Sequence, residues 1–470
     1  MESRLTSITK YDILYTKITT SGGKEYMETK EYKIKLKDWQ VPLAEHQTKV
    51  LKDQRIMLSA CSTGVGKTYL ACQTIRDLGM KTLIVCPKIA VSQWRGVVDG
   101  MGISDLVIGI TNPEHLVASK KDPYYSVNDG WKLPDGMLLV FDEVHRGASG
   151  IDSKTTYALA RWCCRSRPLS KALAMSATPF ETPLKLRALG YLMGFHKFTE
   201  ASFYDWCRTN GCGFADIGWG KSRRRVFQFT KNKDKATAVM KNIRAEMGDR
   251  FMSITPEEVP DFPEETKEIV PVDLAKKDHD ALIRAYEDMP ERMTSMSEDD
   301  MVKTLRLRQQ AEFCKAEVIA NMAADLVEDG YSVFICLNFT DARKRVEDVL
   351  KHRKVPFASI YGGQKESERQ AGVKAFQSNQ THVMVGMAAA CSVALSLHDE
   401  RHERRRVSLI SPGYSVSEFV QSLGRIRRVG GTHAVQKIII TANSVEERVG
   451  RAIERKMNNL AALNDRDLMR

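Results

Sequence analysis

Eight consecutive residues, Cys61-Ser62-Thr63-Gly64-Val65-Gly66-Lys67-Thr68, set two glycines, a lysine and a hydroxyl in the order of a phosphate-binding loop. Gly64 and Gly66 let the backbone turn its N–H groups inward around an anion, and a helix starting beyond them aims the positive end of its dipole at the same place. Thr63, Gly64, Val65, Gly66, Lys67 and Thr68 would then hold a nucleotide, with Lys67 on the β- and γ-phosphates and Thr68 on magnesium. Cys61 stands where the GxxxxGK[ST] pattern has its first glycine, and a small residue serves there. A glycine-rich turn with a lysine can also be purely structural. Here, however, the apolar run Ile56-Met57-Leu58 leads in as a strand, and Tyr69 to Leu78 leads out with helical spacing until Gly79.

A second group of chemically able residues follows the apolar run Met137 to Phe141: Asp142-Glu143-Val144-His145, a DExH box. At the carboxyl end of a strand, Asp142 would hold magnesium and Glu143 would orient and deprotonate the water that attacks a γ-phosphate. Paired acids at a strand end also serve as mere helix caps, but these follow the loop in the order that catalysis requires. Further on, Met175-Ser176-Ala177-Thr178-Pro179 ends another apolar run with small hydroxyl residues. In Gln421-Ser422-Leu423-Gly424-Arg425-Ile426-Arg427-Arg428, helical spacing puts Arg425 and Arg428 on one face. Two guanidiniums there can meet a γ-phosphate across a cleft, worth roughly 10³- to 10⁵-fold in rate. The bland alternative is an exposed basic helix.

These residues need a scaffold. From about Trp39, helical patterns alternate with short apolar strands at Lys81 to Cys86, Leu106 to Ile110, Met137 to Phe141 and Lys171 to Ser176. A second such series runs through Ser332 to Phe339, Pro356 to Tyr361, His382 to Met387, Val407 to Ser411 and Val435 to Thr441. The alternation predicts an α/β protein of two tandem domains, each a parallel sheet covered by helices. The expected divisions are an N-terminal β-hairpin extension over 1–36, a first domain over 37–255 with a helical insertion at about 181–250, a second domain over 256–443, and a C-terminal helix in 444–470. Lys221-Ser222-Arg223-Arg224-Arg225 in the insertion reads equally as a phosphate contact or a solvated loop, and the arginine-dense run His398 to Arg406 reads as a solvated hairpin, with contact to DNA as the lesser alternative.

The chain has 470 residues, 43% of them hydrophobic, enough for two or three cores. No apolar run approaches a membrane span and the N-terminus has no signal-peptide core, so a soluble, intracellular protein without a membrane partner is expected. The ten cysteines form no CxxC pair and read as reduced thiols, Cys207 and Cys212 being the one pair with a residual case for metal. A net charge of +12 favours a polyanionic partner without distinguishing DNA from RNA.

The ordered set Cys61–Thr68, Asp142–His145, Ser176–Thr178 and Gln421–Arg428 resembles helicase superfamily two over roughly residues 37 to 460. The resemblance implies two RecA-like P-loop domains that clamp ATP and Mg2+ between them and nucleic acid across their tops. It also makes Gln47 the reader of adenine, places Gln421 in the cofactor site and gives Ser176 and Thr178 a coupling role. Val85-Cys86-Pro87-Lys88 with Trp94, Leu189-Gly190-Tyr191-Leu192 and Ser444-Val445-Glu446-Glu447-Arg448 look most like the Swi/Snf-type duplex DNA translocases. The group's glycine-rich loop is here Ala390-Cys391-Ser392-Val393-Ala394-Leu395-Ser396-Leu397, where Ser392 or Ser396 would have to make any hydrogen bond. The expectation is a monomeric DNA-dependent ATPase and helicase or translocase that acts on duplex, forked or branched DNA without sequence preference. Its work would be branch migration or fork regression. Competing expectations are a conventional single-strand-tracking DNA or RNA helicase, and an ATP-switched remodelling factor that does not travel.

Overall fold

The computed structural model describes residues 14–19, 25–30, 34–118, 122–148, 150, 153–162, 168–217, 224–274, 276, 280, 282, 284, 298–391, 395–442 and 444–463. Near the N-terminus β1 (Leu14–Thr19) and β2 (Glu25–Lys30) pair antiparallel, Leu14 opposite Lys30. Residues 20–24, between the two strands, lie outside the described residues.

The first domain enters through helix α1 (Val41–Asp53) and alternates thereafter. Strand β3 (Ile56–Ser59) feeds helix α2 (Lys67–Leu78), and β4 (Thr82–Val85) feeds α3 (Val91–Gly100) and then β5 (Val107–Thr111). A two-residue antiparallel pair, β6 (Tyr125–Ser126) and β7 (Gly130–Trp131), precedes β8 (Leu138–Phe141) and β9 (Lys171–Met175). The insertion contains α4 (Glu200–Thr209), the antiparallel strands β10 (Cys212–Ile217) and β11 (Arg224–Phe229), and α5 (Lys233–Met247). It is therefore helical only in part, because Gly211 and Gly213 interrupt the helical pattern ahead of the β-prone Phe214 and Val226-Phe227. The chain then returns as β12 (Phe251–Met252) to complete a six-stranded sheet of order β12-β3-β9-β8-β4-β5.

Every pairing in that sheet is parallel, so helices must cover both faces and both faces must be apolar. Strand periodicity divides the core accordingly. Ile56, Leu58, Leu83, Val85, Leu139 and Phe141 face one side, and Met57, Ile84, Leu138, Val140, Leu173 and Met175 the other.

The second domain repeats this plan. Strand β13 (Glu265–Val272), the long helix α6 (Glu298–Glu328), β14 (Ser332–Leu337), β15 (Phe357–Ile360), β16 (Val383–Met387), β17 (Arg406–Ile410), helix α7 (Val416–Leu423) and β18 (Ala434–Thr441) form a parallel sheet of order β13-β18-β17-β14-β16-β15. These two helix-covered parallel sheets are the tandem RecA-like arrangement expected from the sequence.

Helix α8 (Val445–Leu463) joins the two domains. Its start is held in the second by a buried ion pair, Lys315 Nζ to Glu446 Oε1 at 2.5 Å, with Lys315 also donating to the Ile439 carbonyl at 2.9 Å. Val449, Ile453 and Leu460 pack in the second domain's core, whereas Ala462 and Leu463 belong to the first domain's core. Across the boundary the helix packs on α5, and Asn459 Nδ2 donates to the Glu181 carbonyl at 3.0 Å.

Candidate nucleotide-binding and hydrolysis site

The loop after β3 takes the shape its glycines allow. Gly64 (φ 80°) and Gly66 (φ 83°) are both left-handed, and a Cβ on Gly66 would sit 2.5 Å from Gln40 Nε2. That amide donates to the Val65 carbonyl at 3.1 Å, and Gln40 Oε1 accepts from Lys37 N–H at 3.0 Å, so Gln40 braces the loop from outside. Lys67 Nζ curls over the loop to donate to the carbonyls of Cys61 and Ser62 at 2.9 and 3.0 Å. Burial lowers its pKa, an effect that the nearby Glu143, Cys61 and Asp142 oppose.

At the end of β8, Asp142 Oδ1 accepts from Glu143 N–H at 3.0 Å and Oδ2 accepts from the buried Trp94 indole at 2.9 Å. Burial, then the negative charge of Glu143, raises Asp142 to about 6. Glu143 goes the other way. Burial alone would raise it, but adjacent His145 and the cations Lys67 and Arg425 hold it below its usual value, so it stays a carboxylate and a competent base. Its backbone is left-handed (φ 49°), a conformation that costs a non-glycine residue about 1–3 kcal/mol and gathers at functional positions.

Arg425 and Arg428 approach from the second domain. They are not on a helix, as their spacing suggested, because α7 ends at Leu423 and the chain turns at Gly424. Gly424 packs so closely on Thr63 that a side chain there would collide with the loop. Both arginines nevertheless reach one place, each donating to the Leu395 carbonyl at 2.8 Å. Burial and then mutual repulsion lower Arg428 to about 9, so it remains a cation at neutral pH. An interdomain cavity of about 560 Å³ results, lined on one side by Gly64, Lys67, Thr68, Asp142 and Glu143 and on the other by Arg425 and Arg428. The Nε atoms of both arginines are buried without a partner among the described residues, and Lys67 is spent on its own backbone. Three cations around an anion-shaped loop fit a polyphosphate, and Thr68 and Asp142 share the cavity wall as magnesium ligands must. Bound there, the metal would supply charge for the phosphate oxygens.

A chain of hydrogen bonds crosses between the domains behind this cavity. His145 Nδ1 is 2.7 Å from Ser176 Oγ, and Nε2 is 2.6 Å from Ser417 Oγ on α7. Thr178 Oγ1 donates to Ser417 Oγ at 3.1 Å, and Thr178 N–H donates to Ser176 Oγ at 3.0 Å. The pattern Ser176–Thr178 was legible in the sequence, but Ser417 was not, since a single serine on a helix carries no signal.

Three expectations are corrected. Gln47 does not line the cavity: fully buried, its amide donates to Ser59 Oγ and accepts from Thr74 Oγ1, tying α1 to β3 and α2, while Gln40 is the glutamine on the cavity wall. Gln421 does not line the cavity either; still on α7 where the arginines have turned away, it is buried with both amide atoms unpartnered among the described residues. The run from His398 is no solvated hairpin throughout, since Arg406 is buried in β17 and donates to Asn379 Oδ1 and the Phe376 carbonyl. Ser396 lines the cavity and bonds His398, Ser392 lies outside the described residues, and Cys207 and Cys212 join no cluster of three or more His, Cys, Asp or Glu side chains that could hold a metal ion among the described residues.

Residues 314–430 match the helicase conserved C-terminal domain. Over 449 residues, covering 88% of this chain and 80% of the relative, the sequence is 27% identical to a protein of Acanthamoeba polyphaga mimivirus named as an ATP-dependent RNA helicase. These matches support a superfamily-two helicase. The Sulfolobus solfataricus SWI2/SNF2 ATPase core in complex with dsDNA is 15% identical to this chain, with a TM-score of 0.37 and coverage of 87% of this chain and 88% of that one. The matched helicase domain supplies Arg425 and Arg428, and the first domain supplies the phosphate loop. No helix among the described residues is long and apolar enough to cross a membrane.

Proposed function

We propose that this chain is a magnesium-dependent ATPase that converts hydrolysis into movement along nucleic acid, and that its substrate is forked or branched DNA. The observation that carries the motor reading is the cavity itself: acids and phosphate loop belong to one domain and the arginines to the other, so turnover requires the two to be closed. Lys67 neutralises the β/γ-phosphates, Asp142 with Thr68 holds the metal, Glu143 accepts the proton of the attacking water, and Arg425 with Arg428 neutralises charge on the transferred group. Trp94 fixes the Asp142 carboxylate in one orientation. A second interdomain cleft, of about 370 Å³, opens beside Asp142 and Glu143 and carries Lys88, Arg146, Gln364 and Arg369 around Gly362 and Gly363. Cations and donors from both domains beside the catalytic acids suit a phosphate backbone whose grip changes as the domains open and close.

The branched-DNA reading rests on the Swi/Snf-like motifs and on energetics. Moving a junction exchanges base pairs one for one, whereas plain unwinding must supply roughly 1.4 kcal/mol of stacking per step. A second reading, RNA as the track, is favoured by the name of the mimivirus relative. ATPase rate measured in parallel with RNA, single-stranded DNA, duplex DNA and a movable four-way junction separates the two. Greatest stimulation by duplex or junction is expected, together with junction migration faster than separation of a tailed duplex. Stimulation by RNA alone would replace DNA as the substrate.

A further inference from the structure

The insertion hairpin presents a face that the nucleotide chemistry leaves unused. In β10 and β11 Cys212 stands opposite Phe229, Phe214 opposite Phe227 and Asp216 opposite Arg225, so these side chains share one face of the ribbon. At its root Cys212 and Phe229 are buried in the first domain's core, yet one pair further out Phe214 is 53% exposed. Its ring is already held in place. It meets Phe227 edge-on at 5.1 Å, Phe227 meets Tyr204 of α4 at 5.1 Å, and the Arg225 guanidinium lies 4.9 Å over the Phe214 ring. A lone exposed apolar residue is ordinary, but an aromatic ring held edge-on by a second ring, itself backed by a third, with a cation over one face, leaves its other face as a surface for a planar partner.

Position and charge select the partner. Strand β11 packs against the Pro183–Lys185 turn, which follows Ser176–Thr178 at the carboxyl end of β9, the side of the sheet on which both interdomain clefts open. Arg225 lies 4.9 Å from the Phe214 ring centroid and Arg208 5.9 Å from that of Phe227, so cations stand beside the aromatic row. Asp205 pairs with Arg208 and Asp216 faces Arg225, which tempers the local charge and leaves the ring as the principal contact.

We propose that Phe214, flanked by Arg225, is a stacking platform for an unpaired base of the strand this enzyme handles. It rests on the motor reading above. The probe is a single-stranded oligonucleotide carrying a fluorescent adenine analogue, with Phe214→Trp and Phe214→Leu as the variants. Wild type and Phe214→Trp should quench the analogue. Phe214→Leu, which keeps an apolar surface but loses the ring's π-face, should quench little and bind roughly fivefold or more weakly. ATPase without nucleic acid and the thermal midpoint should not change, because the ring is half exposed and lines neither interdomain cavity. Equal quenching and affinity in Phe214→Leu would overturn the platform. So would a change in sedimentation in place of a change in oligonucleotide binding, which would mark a protein-docking surface. If wild-type ATPase responds to no nucleic acid at all, the motor reading fails and the platform falls with it, an outcome distinct from the other two.

Discussion

Two glutamines divide the work that the sequence pattern assigned to one. Gln47 sits in a segment that looks like an adenine reader, but a linear pattern cannot say which way an amide points once α1 has packed. Gln47 bonds Ser59 and Thr74, and removing it leaves those hydroxyls short of a buried partner. Gln47→Ala should therefore cost about 1–3 kcal/mol in stability by denaturant titration and leave the ATP-to-GTP preference unchanged. Gln40→Ala should instead weaken nucleotide binding, measured by fluorescent-nucleotide titration, because the loop loses its brace at Val65. The acids were legible because chemistry constrains their type and order. Glu143→Gln should keep nucleotide affinity and lose roughly 10²- to 10⁴-fold in phosphate release, while Lys67→Ala loses affinity as well. Hydrolysis by Glu143→Gln at the wild-type rate would remove it as the base.

Among the elements, strands and helices followed hydrophobic period closely, whereas ends and insertions did not. The arginine pair shows why. Spacing of three residues implies a shared helix face, but α7 stops at Leu423 so that Gly424 can lie against Thr63, and it is the turn that delivers both guanidiniums. The β10–β11 ribbon escaped notice for the opposite reason, since it is short and set among helical patterns. Ser417 was beyond reach because its significance lies in meeting His145 and Thr178 from the other domain. Replacing it with alanine should leave nucleotide affinity intact and reduce nucleic-acid stimulation of turnover about fivefold or more, read as the ratio of stimulated to basal ATPase. An unchanged ratio would show that the hydrogen-bonded chain is structural only.

In the molecule as a whole, closure is held by more than the nucleotide cavity. Helix α8 is fixed at one end by the Lys315–Glu446 pair and at the other by Ala462 and Leu463 in the opposite domain's core. Glu446→Gln strands a buried ammonium and should cost about 3–5 kcal/mol. Leu463→Ala, at a fully buried site, should cost about 2–5 kcal/mol and lower the thermal midpoint of the first domain. The +12 charge predicts a second whole-molecule property: affinity for nucleic acid that is nearly indifferent to sequence and falls steeply between low and physiological salt in a filter-binding titration. A flat salt profile would count against backbone recognition.

The placement of Leu463 also bears on how the chain comes into being. Domains ordinarily fold as units in the order in which the ribosome releases them. Here the core around Met240 and Ile243 includes side chains translated only after the entire second domain. During synthesis the first domain must wait with apolar surface uncovered, and its completion is coupled to that of its successor. The protein should consequently refold as a single slow cooperative unit and lean on chaperones while nascent.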